Sequence, residues 1–299
     1  MSKAIVTGGA GFIGSNLVDR LVTLYNEVVV IDNESSEANE IFYYNEEASY
    51  FKYDICDYKN IRPLFTEADC VFHLAAEARI QPTLLNPILA AKSNCVGTCT
   101  ILQCAKEAKV KRVIYSSTSS AYGLKNKIPL VETMPNDCLN PYSVTKAAGE
   151  DLCKMYNNLY GLETVVFRYF NVYGERHPVK GQYAPVIGIF IRQKQAKEKM
   201  TIVGDGKQTR DFTHVSDVVE ANVLASNILN KKPVGQTINL GSGTNFSVNQ
   251  IAEIIGGDCT FLPARPGEAK DTLANIQKAK DLLGWKPLIH VQDWIKNNS

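Results

Sequence analysis

A short apolar strand that runs straight into a glycine-rich turn sets the strongest limit on this chain. Residues 4–14 read Ala-Ile-Val-Thr-Gly-Gly-Ala-Gly-Phe-Ile-Gly. They satisfy GxGxxG as Gly9, Gly11 and Gly14, and GxxGxxG as Gly8, Gly11 and Gly14. A helical pattern follows at Ile13, Leu17, Val18, Leu21 and Val22. Glycine permits the tight turn and lets the backbone approach a pyrophosphate. The first N–H groups of the helix then face the phosphates. A second apolar strand, Val28–Ile31, leads to Asp32. A carboxylate about 20 residues past the turn suits a ribose 2′-hydroxyl and repels a 2′-phosphate. The expected cofactor is therefore NAD rather than NADP. The plainer alternative is a structural glycine turn with a surface aspartate.

Strands and helices alternate beyond this point. Strand-like runs fall at 4–7, 28–32, 50–53, 71–74, 113–116, 164–170 and 237–240, with helical patterns at 88–108, 143–160 and 215–229. Several strands are apolar throughout, as expected when both faces of a sheet are covered. The fold class is thus α/β, a doubly wound parallel Rossmann-type sheet with a smaller, discontinuous C-terminal substrate domain. The expected division is 1–173 plus about 213–242 for the NAD-binding domain, and about 174–212 plus 243–299 for the substrate domain. Ligands of such sheets sit at the carboxyl ends of the strands. Gly8–Gly14, Asp32, Asp54, Ala75-Ala76 and Ser117-Thr118 all fall there.

Tyr142 and Lys146 stand four residues apart, downstream of Thr118. On a helix, residues at i and i+4 share one face. A cation held beside a phenol favours the phenolate and lowers a pKa that is ordinarily ~10. A tyrosine so tuned can take a proton from a sugar hydroxyl near neutral pH. A strand-end cap for Thr118 and a solvated helix face for Lys146 are the bland alternatives.

Composition excludes several other classes. The formal net charge of +1 argues for neither nucleic acid nor a membrane surface. No apolar stretch reaches the ~18 residues of a transmembrane helix. The N-terminus enters a strand at once, which leaves no room for a signal peptide. The eight cysteines form no CxxC, and no histidine completes a metal site. Reduced thiols in a cytoplasmic protein without a metal are the expectation.

The chain resembles the extended short-chain dehydrogenases/reductases of the nucleotide-sugar epimerase type over essentially its full length. The resemblance rests on TGGAGFIG at 7–14, Asp32, FHLAA at 72–76, SSTSSAYG at 116–123, NPYSVTK at 140–146, RYFNVYG at 168–174, GDGKQTRDF at 204–212, NLGSG at 239–243 and RPGE at 265–268. It implies inversion of a sugar 4-hydroxyl through a ketone, with Tyr142 taking the proton while hydride passes to a tightly held NAD. Thr118 is implied to hydrogen-bond the reacting oxygen, and Lys146 to bind the nicotinamide ribose and tune Tyr142. The implied cofactor site is Gly8, Gly11, Phe12, Ile13, Gly14, Asp32, Asn33, Asp54, Ile55, Leu74, Ala75, Ala76, Asn94, Tyr142 and Lys146. On the substrate side, Arg210 and Arg265 match diphosphate-binding arginines. Asn171 is implied to contact the sugar-diphosphate and Glu268 a ribose, while Tyr183 and Ala184 fall in the segment over the uracil and sugar.

Side chains discriminate among reactions within the resemblance. Sugar dehydratases carry an Asp-Glu pair after the threonine, and decarboxylases a glutamate. Ser119-Ser120 stand here, which leaves simple epimerisation. The small Thr272, counted from RPGE, leaves room for an N-acetyl group. This favours UDP-GlcNAc/UDP-GalNAc, with UDP-Glc/UDP-Gal alongside. Arg79 is unusual beside the sugar pocket. It is read either as a contact to a substrate oxygen or uronate carboxylate, or as a surface arginine paired with Glu77. UDP-glucuronate is accordingly the alternative substrate, and a non-catalytic dinucleotide-binding regulator the remote alternative. The resemblance also implies a homodimer built through a four-helix bundle.

Overall fold

The computed structural model describes residues 2–299 apart from 37, 38, 40, 180–183, 265, 266 and 268. Its centre is a seven-stranded sheet. In chain order the strands are β1 Lys3–Thr7, β2 Glu27–Ile31, β3 Ser49–Phe51, β4 Cys70–His73, β5 Arg112–Thr118, β6 Glu163–Tyr169 and a last strand, Gln236–Leu240. Across the sheet the order is last strand, β6, β5, β4, β1, β2, β3, and every pairing is parallel. All seven expected strands are present, each within two residues of the expected bounds.

The pleat explains why these strands are apolar on both sides. Ala4 and Val6 enter one core with Val28, Val30, Cys70 and Phe72. Ile5 enters the opposite core with Val29, Ile31 and Val71. Successive strand residues face opposite ways, so helices on both faces require apolar residues at every position. The first core is closed by helix α1, Phe12–Leu21, and by the helix Val215–Ser226. The second is closed by the helices Thr98–Glu107 and Pro141–Tyr160.

The expected single helix over 88–108 is interrupted. It runs as α-helix over Pro87–Ala91, as π-helix over Lys92–Gly97, and as α-helix again over Thr98–Glu107. Gly97 lies against Ile55, whose Cδ1 would be 2.4 Å from any added Cβ. A side chain there would clash with Ile55, so the π turn lies at a close approach between this helix and the turn after β3.

A third core holds the smaller unit. It gathers Ile187, Phe190, Ile202, Ile251, Ile255 and Ile295 around a parallel pair of strands, Met200–Val203 and Cys259–Leu262. The expected boundary placed all of 243–299 here. Ala279, Leu283 and Trp285 instead pack in the first sheet core. The Trp285 indole N–H donates to the Asp217 carbonyl at 2.8 Å, which ties this segment to the sheet.

The chain leaves β3 on one side of β1 and enters β4 on the other. The carboxyl ends of β1 and β4 therefore frame the crevice where the strand order reverses, which is the general ligand site of such sheets.

Candidate active site

One cavity of about 850 Å³ opens over those strand ends. Gly8, Gly11, Gly14, Asp32, Asn33, Asp54 and Ile55 line one end of it. Thr118, Tyr142, Lys146, Asn171, Arg210 and Thr272 line the other. Phe12, Ile13, Leu74, Ala75, Ala76, Arg79 and Ala184 complete the expected residues found on its wall.

The glycine turn is built for close approach. Gly8 has φ +72°, in the left-handed region. A Cβ on Gly14 would sit 2.1 Å from the Gly8 carbonyl oxygen, so only glycine lets helix α1 start there. No side chain caps that helix start, and its first N–H groups remain directed at the cavity. Asp32 is anchored beside the turn: its carboxylate accepts from the Ala10 N–H at 3.0 Å and the Glu34 N–H at 2.8 Å. Burial raises its pKa, and these two N–H groups oppose the rise. A turn open to phosphates, with an acid fixed beside it, fits a dinucleotide with a free 2′-hydroxyl.

Local sequence places the second group of residues. Asn140 caps the helix Pro141–Tyr160, accepting from the Ser143 N–H at 2.8 Å, while Ser143 Oγ accepts from the Asn140 N–H at 3.3 Å. Pro141 occupies the first turn, and Gly161 ends the helix at φ +69°. Tyr142 thus sits in the first turn, where it reaches Thr118 at the end of β5. The Thr118 hydroxyl is near enough to the Tyr142 hydroxyl to act on its ionisation. Thr118 Oγ1 also accepts from the Ser120 N–H at 3.1 Å, which fixes its rotamer.

The electrostatics of Tyr142 differ from expectation. Burial raises its pKa, and the hydrogen bond with Thr118 is the influence that lowers it. Lys146 is itself buried. Burial pushes its pKa down to about 7, which weakens it as a fixed cation. Its ammonium lies 4.3 Å over the ring of Tyr115. The Thr118 hydroxyl is the neighbour that lowers the Tyr142 pKa against burial.

Tyr115 is a residue the sequence reading missed. It is fully buried, and its hydroxyl donates to the Lys146 carbonyl at 3.2 Å. Gly149 makes the notch that admits it: a Cβ there would meet Tyr115 Oη at 2.2 Å. A glycine inside an otherwise regular helix was the available signal.

Asn94, expected at the cofactor, follows Ser93 of the cavity wall. It is buried and accepts from the Glu77 N–H at 2.8 Å, while donating to the Glu77 carbonyl at 3.1 Å and to Thr145 Oγ1 at 2.9 Å. It therefore ties the loop after β4 to the helix of Tyr142 and Lys146. Asn171 and Thr272 are brought together: the Asn171 amide donates to Thr272 Oγ1 at 3.3 Å and to the Asp211 carbonyl at 2.9 Å. Arg210 donates to the carbonyls of Thr209 and Lys270, both at 3.0 Å. Tyr183, Arg265 and Glu268 lie outside the described residues.

Comparison with known proteins gives the family. The sequence profile of the NAD dependent epimerase/dehydratase family matches residues 4–241. The chain belongs to that family, and it is an NAD-dependent enzyme. It is 37% identical to a putative UDP-glucose 4-epimerase of Methanocaldococcus jannaschii, over 99% of each chain. It is 33% identical to a UDP-N-acetylglucosamine 4-epimerase from Methanobrevibacter ruminantium M1, solved with UDP-N-acetylmuramic acid, with TM-score 0.92 over 99% of this chain and 96% of that one. It is 31% identical to a UDP-glucuronic acid 4-epimerase from Bacillus cereus, solved with UDP-glucuronic acid and NAD, with TM-score 0.87 over 99% and 97% of the two chains.

Proposed function

We propose that this NAD-dependent nucleotide-sugar 4-epimerase inverts C4 of UDP-hexoses, UDP-GlcNAc/UDP-GalNAc first and UDP-Glc/UDP-Gal as well. The observation that carries the reaction type is that Thr118, Tyr142 and Lys146 come together on the cavity wall, with the Thr118 hydroxyl acting on Tyr142. The observation that supports an N-acetyl sugar is the small Thr272, whose hydroxyl is already held by Asn171 and by the Asp211 N–H at 3.2 Å.

Gly8, Gly11, Gly14 and Asp32 hold the dinucleotide at one end, and Lys146 meets its nicotinamide ribose. When bound, NAD supplies the hydride acceptor at C4 and then the donor. Tyr142 takes the proton of the 4-hydroxyl, and Thr118 holds the same oxygen and shares that proton. With Ser119-Ser120 after Thr118, no carboxylate stands at either position to drive loss of water or carbon dioxide. Inversion then needs only that the keto sugar turn over before Tyr142 returns the proton.

We also propose a homodimer. Val144, Met155 and Leu159 lie exposed on one face of the helix Pro141–Tyr160, and Val96 is exposed in the neighbouring helical segment. Apolar surface at helical spacing on two adjacent helices suits a four-helix contact. Light scattering at micromolar concentration tests it, and a monomer would refute it.

The activity is tested by incubating the protein and NAD with UDP-GlcNAc, UDP-Glc and UDP-GlcA separately, and following products by NMR. Formation of UDP-GalNAc supports the reading. Conversion of UDP-Glc but not UDP-GlcNAc keeps the mechanism and removes the argument from Thr272. Absence of product from all three ends the proposal.

A further inference from the structure

Arg79 stands where a cation needs a reason. It follows β4 by six residues and precedes the short helix Ile80–Leu85. It lines the cavity with Thr118, Ser119, Ser120 and Tyr142. Its surface is mostly covered, and it is no surface arginine paired with Glu77: among the described residues its side chain has neither hydrogen bond nor ion pair, while its carbonyl accepts from the Thr83 N–H. Burial pulls its pKa down, with no neighbouring charge acting on it.

A guanidinium removed from water costs free energy unless an anion meets it. The other acids on the cavity wall are Asp32, Asp54 and Glu77. Asp32 is engaged with backbone N–H groups, and Asp54 accepts from the Cys56 N–H and lies 4.0 Å from Lys92. Glu77 has interactions of its own. The two positions after Thr118 are serines. The protein itself therefore supplies Arg79 with no counter-charge among the described residues. The phosphates of the dinucleotide are drawn to the start of helix α1, at the end of β1. Arg79 belongs instead to the loop after β4, which Asn94 fastens to the helix that carries Tyr142 and Lys146.

We propose that Arg79 is a recognition site for a carboxylate on the sugar ring, so that a UDP-hexuronate is a substrate of this cavity. The inference rests on the UDP-sugar 4-epimerase reading and adds an acidic sugar to its substrates. Guanidinium matches a carboxylate with two parallel N–H···O bonds, and a neutral hydroxymethyl group leaves the cation unpaired.

The test compares the wild-type protein with Arg79→Ser and Arg79→Lys, using UDP-GlcA and UDP-Glc with saturating NAD. Bound NAD and the thermal melt are measured in parallel. The expected result is that Arg79→Ser lowers the ratio of kcat/KM for UDP-GlcA to kcat/KM for UDP-Glc by about 10–100-fold. Arg79→Lys should recover part of the loss, since it keeps the charge without the fork. An equal fall for both sugars overturns the proposal and assigns Arg79 to the diphosphate. A fall in bound NAD overturns it in favour of the cofactor. A wild-type protein that turns over UDP-Glc but not UDP-GlcA also overturns it, and leaves the 4-epimerase reading intact. Turnover of neither sugar, nor of UDP-GlcNAc, removes both.

Discussion

The ammonium of Lys146 rests 4.3 Å above the ring of Tyr115, and the Tyr115 hydroxyl donates to the Lys146 carbonyl at 3.2 Å. A buried strand residue thus holds both ends of a cavity lysine. Tyr115 reaches it only because Gly149 has no side chain in the way. Lys146 is exposed by 3%, and the pair explains how a lysine stays ordered in so dry a place.

Burial of Lys146 has a stability consequence with a definite sign. Its folded pKa is about 7, against an ordinary value of ~10.4. Between these values the unfolded chain binds more protons than the folded one, so stability rises with pH across that window. Below pH ~7 both states carry the proton, and the full burial cost remains. Lys146→Met without added dinucleotide should therefore melt higher than wild type, by an amount worth a few kcal/mol (order of magnitude) at and below pH ~7. The gain should fade toward pH ~10.5. Melting curves at several pH values read this directly, and a gain that grows with pH contradicts it.

Thr118 lowers the pKa of Tyr142 against the upward pull of burial. Thr118→Ala should lower kcat by roughly 10²–10³-fold. It should also move the acidic limb of the pH–rate profile to higher pH, because the removed hydroxyl lowers the Tyr142 pKa. Thr118→Ser should restore the wild-type limb. A fall in kcat with an unmoved limb leaves Thr118 as a contact to substrate alone.

Two glycines of the same turn should fail differently. A Cβ on Gly14 meets the Gly8 carbonyl oxygen at 2.1 Å, so Gly14→Ala should destabilise the fold by ~1–3 kcal/mol or more and release NAD. A Cβ on Gly11 finds its nearest neighbour, Asn39 Nδ2, at 3.4 Å. Gly11→Ala should fold with its stability within ~1 kcal/mol and still bind NAD weakly, because the methyl lies in the path of the phosphates. Thermal melts and titration with NAD separate the two outcomes.

Glu150 and Arg168 form a buried bidentate pair, with Nε–Oε1 at 2.9 Å and Nη2–Oε2 at 2.7 Å. Ser117, the neighbour of Thr118, donates to the same carboxylate. Arg168→Met should destabilise by ~3–5 kcal/mol, since it strands a buried carboxylate. Adding Glu150→Gln to that variant should recover part of the loss, so the two changes are not additive. Denaturant unfolding of the two single variants and the double variant measures the coupling, and additive losses would count against the pair.

Much of this protein is legible in one dimension. The turn at Gly8–Gly14, the acid at Asp32 and the seven apolar strands depend on local geometry and on period-two burial. Both act over a few residues and leave a local trace. The same holds for the cap at Asn140 and for Tyr142 and Lys146 on one helix face. The state of that site was decided elsewhere. Lys146 was expected to act as a cation on Tyr142, but solvent exclusion by the folded core moves its pKa down, and no sequence neighbour carries that information. Asn94 bonds to Glu77 and Thr145, contacts between segments far apart in the chain that its own neighbours do not announce. Tyr115 read as an ordinary strand residue until Gly149, 34 positions away in the numbering, opened a place for its hydroxyl. Burial and contact between distant segments set charge and orientation, and these belong to the tertiary structure alone.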